Sequence, residues 1–328
     1  MGVLPSEVKR QTFFKFQDVS DPKYGCRPDR RPISELIRLG IINLDKPRGP
    51  TSHEVSAWVK EILNVKKTGH GGTLDPGVSG VLPIAIEDAT KVIMALQPAG
   101  KEYVCLMVLH KDVPEDRLLE VLKEFTGEIF QRPPVRAAVK RRIRKRQIYY
   151  IEPIEIEGKN VLMKVGCEAG TYMRKLCHDI GEALGCGAHM QELRRTKTGP
   201  FKEENSVKLQ DLADAYAFWK ENGDEEELRK VILPVETAVE HLPKIVVRDG
   251  AVDALCHGAS LAAPGVVAVD SDIAIGSLVA IMTLKGELVE LARAVMNTEQ
   301  ILEAEYGIVA KPERVVMQPG TYPREWKK

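Results

Sequence analysis

IYYIEPIEIEGKNVLMKVGC, residues 148–167, contains two apolar segments, 148–156 and 161–167, joined by Glu157-Gly158-Lys159-Asn160. Short runs of β-branched and aromatic side chains on either side of a glycine-containing turn predict a β-hairpin, and a hairpin joins antiparallel strands. Upstream, residues 101–110 read as a strand apolar on both faces and hence central, and Leu118, Leu119, Leu122 and Phe125 mark a helix that stops at Gly127. Downstream, Met173, Leu176, Cys177, Ile180 and Leu184 recur at helical spacing up to a C-terminal cap at Gly185. Residues 41–44 read as a buried strand ended by Asp45-Lys46-Pro47-Arg48-Gly49-Pro50. Thr51 and Glu54 then form a capping-box pair before Val55, Trp58, Val59, Ile62 and Leu63, which predicts a helix over 52–63. Strands and helices alternate, but hairpins link several strands. The expected fold class is α+β: a mixed, largely antiparallel sheet with flanking helices, not a doubly wound parallel one.

Past Pro243 the character changes to short strands at 245–247, 266–269, 278–284 and 288–294 separated by Gly, Pro and Asp, the pattern of a small C-terminal β-barrel. Residues 1–35 carry charge, proline and aromatic side chains with no sustained period and read as an extension that wraps something. The expected division is 1–35, 36–242 and 243–328, with the linker at 241–243.

With 47 basic and 47 acidic side chains the formal net charge is zero, so only clustering can argue for a nucleic-acid partner. Arg132, Arg136, Lys140, Arg141, Arg142, Arg144, Lys145 and Arg146 supply such a cluster, with no acidic residue between them. With Pro133-Pro134 and no apolar period, this stretch reads as an exposed loop leading into a strand. Six cysteines without a CxxC pair predict reduced thiols and a cytoplasmic protein. Cys177, His178, Cys186 and His189 fit no common zinc spacing and several fall on one helix stripe, so no metal is expected. The N-terminus shows no secretory signal, and the apolar run 274–284 is far below the ~20 residues that span a bilayer, so no membrane partner is expected.

The stretch 69–83, GHGGTLDPGVSGVLP, holds one carboxylate, Asp75, among glycines and small residues. Glycines at 69, 71, 72, 77 and 80 allow a bulky ligand to approach the backbone, and Pro76 pushes Asp75 out of the α region. Taken alone, Asp-Pro beside glycine is ordinary turn chemistry, and nothing after Gly80 supplies the Lys and Ser or Thr of a phosphate-binding loop. Asp75 therefore needs supporting residues from elsewhere in the chain.

Four segments provide them: Asp45-Lys46-Pro47 with Gly49-Pro50-Thr51-Ser52; the Asp75 loop; Lys101-Glu102-Tyr103; and Gly170-Thr171-Tyr172-Met173-Arg174 with Gly187-Ala188-His189-Met190 and Leu193-Arg194-Arg195. In order and spacing they resemble the pseudouridine synthases that modify the T-loop of tRNA. The N-terminal extension, the segment from Gln131-Arg132-Pro133-Pro134 to Arg142 and the C-terminal part, with Arg248-Asp249-Gly250-Ala251, His257-Gly258-Ala259 and Pro264-Gly265-Val266, are most similar to the archaeal and eukaryotic dyskerin-like branch. That branch is the catalytic subunit of H/ACA ribonucleoproteins, and its C-terminal part is a PUA RNA-binding barrel on which the extension packs. The one departure is Gly77, which stands where relatives commonly carry lysine.

The resemblance implies isomerisation of uridine to pseudouridine in rRNA directed by a guide RNA, and in tRNA as well, with RNA and small H/ACA proteins as partners. No cofactor is implied, because the reaction has no redox change or net hydrolysis. Carried over residue by residue, Asp75 is the catalytic carboxylate, Tyr103 the stacking face for the everted base, Tyr172 a shaper of the pocket with a part in proton transfer and Arg174 the partner of Asp75. Leu193 becomes an apolar wall and His70 the residue that fills the vacated base position in tRNA. Lys46 joins the pocket and, with Pro47, braces the loop. The basic stretch contacts phosphates, which gives affinity without sequence information. Whether Asp75 attacks the uracil ring or the sugar, or acts as a base, stays open at this level. So do a stand-alone tRNA enzyme and an inactive RNA-binding scaffold. A glycoside hydrolase usually needs a second catalytic carboxylate.

Overall fold

The computed structural model describes residues 2–133 and 142–324. Its strands are β1 (Thr12–Phe14), β2 (Gly40–Lys46), β3 (Thr68–His70), β4 (Ser79–Ile86), β5 (Lys101–Leu109), β6 (Gly127–Gln131), β7 (Arg144–Glu157), β8 (Asn160–Cys167), β9 (Ala188–Thr198), β10 (Phe201–Lys202) and β11 (Leu233–Pro234). They continue as β12 (Lys244–Val247), β13 (Leu261–Ala262), β14 (Val266–Asp270), β15 (Leu278–Thr283), β16 (Leu288–Ala294) and β17 (Ile308–Val315).

Among the described residues the larger sheet has ten strands, in the order β11-β2-β4-β9-β5-β8-β7-β6, with β3 on β4 and β10 on β9. Its pairings are antiparallel except that of β4 with β9, where Ser79 faces Arg194 and Gly80 faces Arg195. This parallel seam joins the two halves of the sheet, and it depends on glycine. Gly80 has φ +106°, and a Cβ there would lie 2.1 Å from the Arg195 carbonyl oxygen. β5 lies between β8 and β9, as its two apolar faces predict. One face packs Cys105, Met107, Met163 and Val165 against Met173, Leu176, Cys177 and Ile180 of the helix Met173–Ala183 and against Leu118, Val121 and Leu122 of the helix Glu115–Glu124.

The predicted helix over 52–63 is Ser52–Ile62, with the expected cap: Thr51 Oγ1 accepts from Glu54 N, and Glu54 Oε2 accepts from Thr51 N at 2.7 Å. The hairpin also forms, but it is longer than the apolar run suggests. β7 begins at Arg144, and β6 pairs with it from Gly127↔Ile148 to Gln131↔Arg144. Arg144, Lys145 and Arg146 are therefore strand residues rather than loop residues. Main-chain pairing with β6 overrides the low apolarity of this stretch, a tertiary effect that hydrophobic periodicity does not report.

The smaller sheet has seven strands, β1-β14-β12-β15-β16-β17-β13, with β12 and β15 parallel, and curls around Val247, Val252, Val266, Val279 and Val289. β1, from the N-terminal segment, is its edge strand, and farther upstream Leu4 is fully buried while Glu7 pairs with Lys197 of β9 at 2.8 Å. A shared core joins the two sheets, combining Val81 and Leu96 with Leu288, Leu291 and Val316. Among the described residues no helix is long and apolar enough to cross a membrane.

Candidate active site

Asp75 sits on a turn between β3 and β4, closed by Val78 N donating to Asp75 O at 2.9 Å. Three braces hold the turn. Ser52, fully buried at the start of its helix, bonds both ends of residue 74: its Oγ accepts from Leu74 N at 2.9 Å and donates to Leu74 O at 3.1 Å. Lys46 Nζ donates to Pro47 O and Val78 O, each at 2.8 Å. Gly49 N donates to Pro76 O at 2.8 Å. The motif around residues 45–52 therefore lies under the loop and fixes its path, while the Asp75 side chain stays about two-thirds exposed.

A cleft of about 580 Å³ opens beside this turn, and Asp75, Tyr103, Tyr172, Arg174 and Leu193 all line it. Tyr103 comes from β5, Leu193 from β9, and Tyr172 and Arg174 from the start of the helix Met173–Ala183. Arg174 Nη2 donates to Asp75 Oδ2 at 3.1 Å, and both side chains are about two-thirds exposed. A solvated pair of this kind adds little stability but aims the carboxylate. Tyr103 is nearly buried, and burial pushes its phenol pKa up, with the Arg195 guanidinium pulling the other way.

Three residues quoted in the motifs without a role also belong here. Arg195, 1 % exposed, lines the cleft floor, its Nε donating to Val81 O at 2.8 Å and its Nη2 to Gly72 O at 3.0 Å. Lys101, also lining, is buried with Nζ on the carbonyls of Leu96, Gln97 and Ala99. Burial, and secondarily Arg195, lowers its pKa to about 8. Gln131 holds the Tyr172 main chain from behind. No local signal marked them, because their partners are main-chain groups, which for Arg195 and Gln131 lie in segments distant in sequence.

Two expected pocket residues lie elsewhere. Lys46 is fully buried beneath the loop and does not line the cleft; its ammonium is committed to carbonyls, which makes it a brace only. His70, on β3, also lies outside the lining, with its ring 5.0 Å from that of His53. Burial, with His53 and Arg195, lowers its pKa.

Of the basic stretch, Arg136, Lys140 and Arg141 lie outside the described residues. Arg132, Arg142 and Lys145 are exposed and Arg144 is half-buried. Arg146 differs from the expectation of a phosphate ligand: its Nε donates to Gly170 O at 3.1 Å and its Nη1 lies 3.6 Å from Glu168, which ties it to the cleft wall. Cys177 Sγ lies 3.5 Å from Cys105 Sγ in the core, and His189 bonds His110 at 3.0 Å. Among the described residues no group of three or more His, Cys, Asp or Glu is placed to hold a metal ion.

Comparison with known proteins adds the following. Residues 60–173 match the N-terminal domain of the TruB family of pseudouridylate synthases, and residues 174–240 match the C-terminal domain of tRNA pseudouridylate synthase B. Residues 243–316 match the PUA domain and residues 4–56 the DKCLD domain. "Probable tRNA pseudouridine synthase B" of Methanopyrus kandleri is 62% identical over 98% of this chain and 96% of its own. The protein of the same name from Methanosarcina acetivorans is 60% identical over 100% and 97%. Among solved structures, a Cbf5-Nop10-Gar1 complex matches with TM-score 0.95 at 58% identity, covering 98% of both chains. An H/ACA RNP bound to a substrate RNA containing 2'-deoxyuridine matches with TM-score 0.93 at 56% identity, covering 99% of this chain and 100% of the other.

Proposed function

The chain belongs to the TruB family of pseudouridine synthases, and on that premise we propose how its cleft performs the isomerisation and which RNAs reach it. In the reaction the C1′–N1 bond of uridine breaks, the uracil turns, and a C1′–C5 bond forms while C5 loses a proton and N1 gains one. Electrons and atoms balance within the nucleotide, so one activated carboxylate and a shaped pocket suffice. Asp75 is that carboxylate. Arg174 orients it, and pairing grows stronger as a bound base displaces water from around both side chains.

Eversion of the uridine costs a few kcal/mol, which a stacking face offsets by roughly 1–3 kcal/mol. Tyr103 offers such a face, and Leu193 and Met190 form an apolar wall that keeps water from the detached base. The observation that carries this reading is that Tyr103, Tyr172, Arg174 and Leu193, from scattered segments, line one cleft beside an Asp75 whose loop is held at three points. Replacing Asp75 by Asn should abolish release of label from C5 of uridine, by at least ~10³-fold, while RNA binding persists. Unchanged release would remove Asp75 from the chemistry.

We propose that RNA guides of the H/ACA type bring rRNA uridines to this cleft and that small H/ACA proteins complete the particle. The support is likeness over nearly the whole chain to subunits solved in such complexes. Arg132, Arg142 and Arg144 would supply phosphate contacts. The names of the curated relatives favour tRNA as a second substrate. Assaying the pure protein on tRNA and on guide-paired RNA, with and without candidate H/ACA proteins, separates the two modes. Turnover of tRNA without a guide is expected of the second substrate, whereas no turnover of guide-paired RNA even with the candidate proteins present would overturn the guided mode.

A further inference from the structure

Gln131 is the last residue of β6, faces Arg144 in the ladder with β7, and is 2 % exposed. Its carboxamide reaches 41 residues along the chain to make both hydrogen bonds to one residue: Tyr172 N donates to Oε1 at 2.8 Å, and Nε2 donates to Tyr172 O at 3.2 Å. The side chain thus does for Tyr172 what a neighbouring strand's peptide group would do.

Tyr172 needs such a partner because of where it stands. It is the N-cap residue of the helix Met173–Ala183, with φ −94° and ψ 102°, and makes no side-chain cap hydrogen bond. Its carbonyl already accepts the helical bond from Leu176 N at 2.9 Å, so Gln131 adds a second donor to that oxygen. An N-cap normally gains its definition from a Ser, Thr, Asp or Asn side chain. Here the definition comes from outside, and it bears on the peptide that sets where the Tyr172 ring and, two residues on, Arg174 enter the cleft.

The rest of this wall hangs from the neighbouring strand. Arg146 Nε donates to Gly170 O at 3.1 Å, Gln147 N to Glu168 Oε2 at 3.1 Å, and Glu168 N to Gln147 O at 2.8 Å. Segment 168–172 is therefore held to β7 at one end and to β6, through Gln131, at the other. The exposed Arg132 directly follows Gln131. Two hydrogen bonds thus join the end of β6 directly to Tyr172.

We infer that Gln131 is a positioning residue for catalysis: its carboxamide registers the cleft wall bearing Tyr172 and Arg174 against the end of the β6–β7 hairpin. This rests on the reading of that cleft as the site of isomerisation. The test uses the full-length protein with its RNA at saturation, comparing wild type, Gln131→Met, Gln131→Glu and Asp75→Asn. Gln131→Met keeps the length and loses both bonds; kcat should fall ~10–100-fold, since small misplacements at a reacting centre cost that much, with RNA Kd little changed and the thermal midpoint lowered by a few degrees for the two lost bonds. Gln131→Glu as carboxylate keeps only the acceptor, but as carboxylic acid it regains a donor toward Tyr172 O. Its kcat relative to wild type should rise as pH falls from 8 to 5.5, a profile that a purely structural role does not produce.

Folded Gln131→Met with wild-type kcat, or a Gln131→Glu to wild-type ratio flat with pH, overturns the inference. If Gln131→Met does not fold, the Gln131→Glu profile decides alone. Activity in Asp75→Asn would instead overturn the reading of the cleft, a separate failure.

Discussion

In the ten-stranded sheet the buried cations Lys46, Lys101 and Arg195 donate to main-chain carbonyls of the loops they underlie, whereas in the seven-stranded sheet the carboxyl of Glu290, equally buried, has no hydrogen-bond partner among the described residues. Both sheets have similar apolar cores, so the difference is not one of hydrophobicity. Around the cleft, each buried charge is matched by oriented dipoles, which stiffens turns that hydrophobic packing alone would leave loose. Glu290 receives nothing comparable, and burial pushes its pKa up to about 8. One sheet uses buried charge to shape a site. The other carries a carboxyl that is tolerated only while protonated.

The largest expected effect comes from breaking the first side of this contrast. Lys46→Met should orphan the buried Val78 carbonyl, at about 1–3 kcal/mol, while the carbonyl of the exposed Pro47 can turn to water, and part of the cost is returned by removing a buried charge. Because Val78 closes the turn begun by Asp75, turnover should fall along with stability. A urea titration and a C5-release assay on the same preparation would check this; loss of neither would mean that the ammonium is incidental to the loop.

Glu290 sharpens the other side through pH. Its folded-state pKa of about 8 stands above the ordinary 4.5, so between those values the folded chain holds a proton that the unfolded chain has released. Its contribution is complete below pH 4.5 and is lost as pH rises toward 8, by at most about 1.4 kcal/mol per unit. His241 works in the opposite sense: burial lowers its pKa from 6.5 to about 4, so its contribution is present above 6.5 and is lost as pH falls toward 4. Glu290→Gln should remove the alkaline loss and leave the acid one. Equal slopes for wild type and variant between pH 5 and 8 would mean that this carboxyl is not the source.

These charges also mark the limit of what could be read in advance. The hairpin 148–167, the capped helix after Thr51 and the central strand were legible because each is a local pattern of apolar spacing or turn chemistry. Asp75, Tyr103, Tyr172, Arg174 and Leu193 were legible only through likeness to a family, since no spacing brings residues 75 and 174 together. The bracing role of Lys46 was legible through the same likeness, but its absence from the cleft lining and the places of Lys101, Arg195 and Gln131 depend on which loop passes beneath which strand. Tertiary structure decides that, and a lysine inside a strand pattern looks the same whether it faces water or a ring of carbonyls. The strand start at Arg144 was hidden for a related reason, because its partner β6 has only five residues.

The smallest effect should come from the rim of the cleft, where the contrast between buried and exposed charge can be tested without disturbing either sheet. Gly77 follows Pro76 in the Asp75 turn; its φ is not in the left-handed region, and a Cβ there would meet no atom within 4 Å. Gly77→Lys should therefore fold without strain and add an ammonium to the turn that carries Asp75. Charge added here is free to meet phosphate, unlike that of Lys46, which its carbonyls retain. RNA should bind a few-fold tighter at low salt, with the salt dependence steeper by about 0.7 for one added contact to single-stranded RNA, and turnover at saturation should not change. A gain in affinity that survives high salt would point instead to a reshaped loop, and a loss of turnover would mean that the new ammonium competes with Arg174 for Asp75.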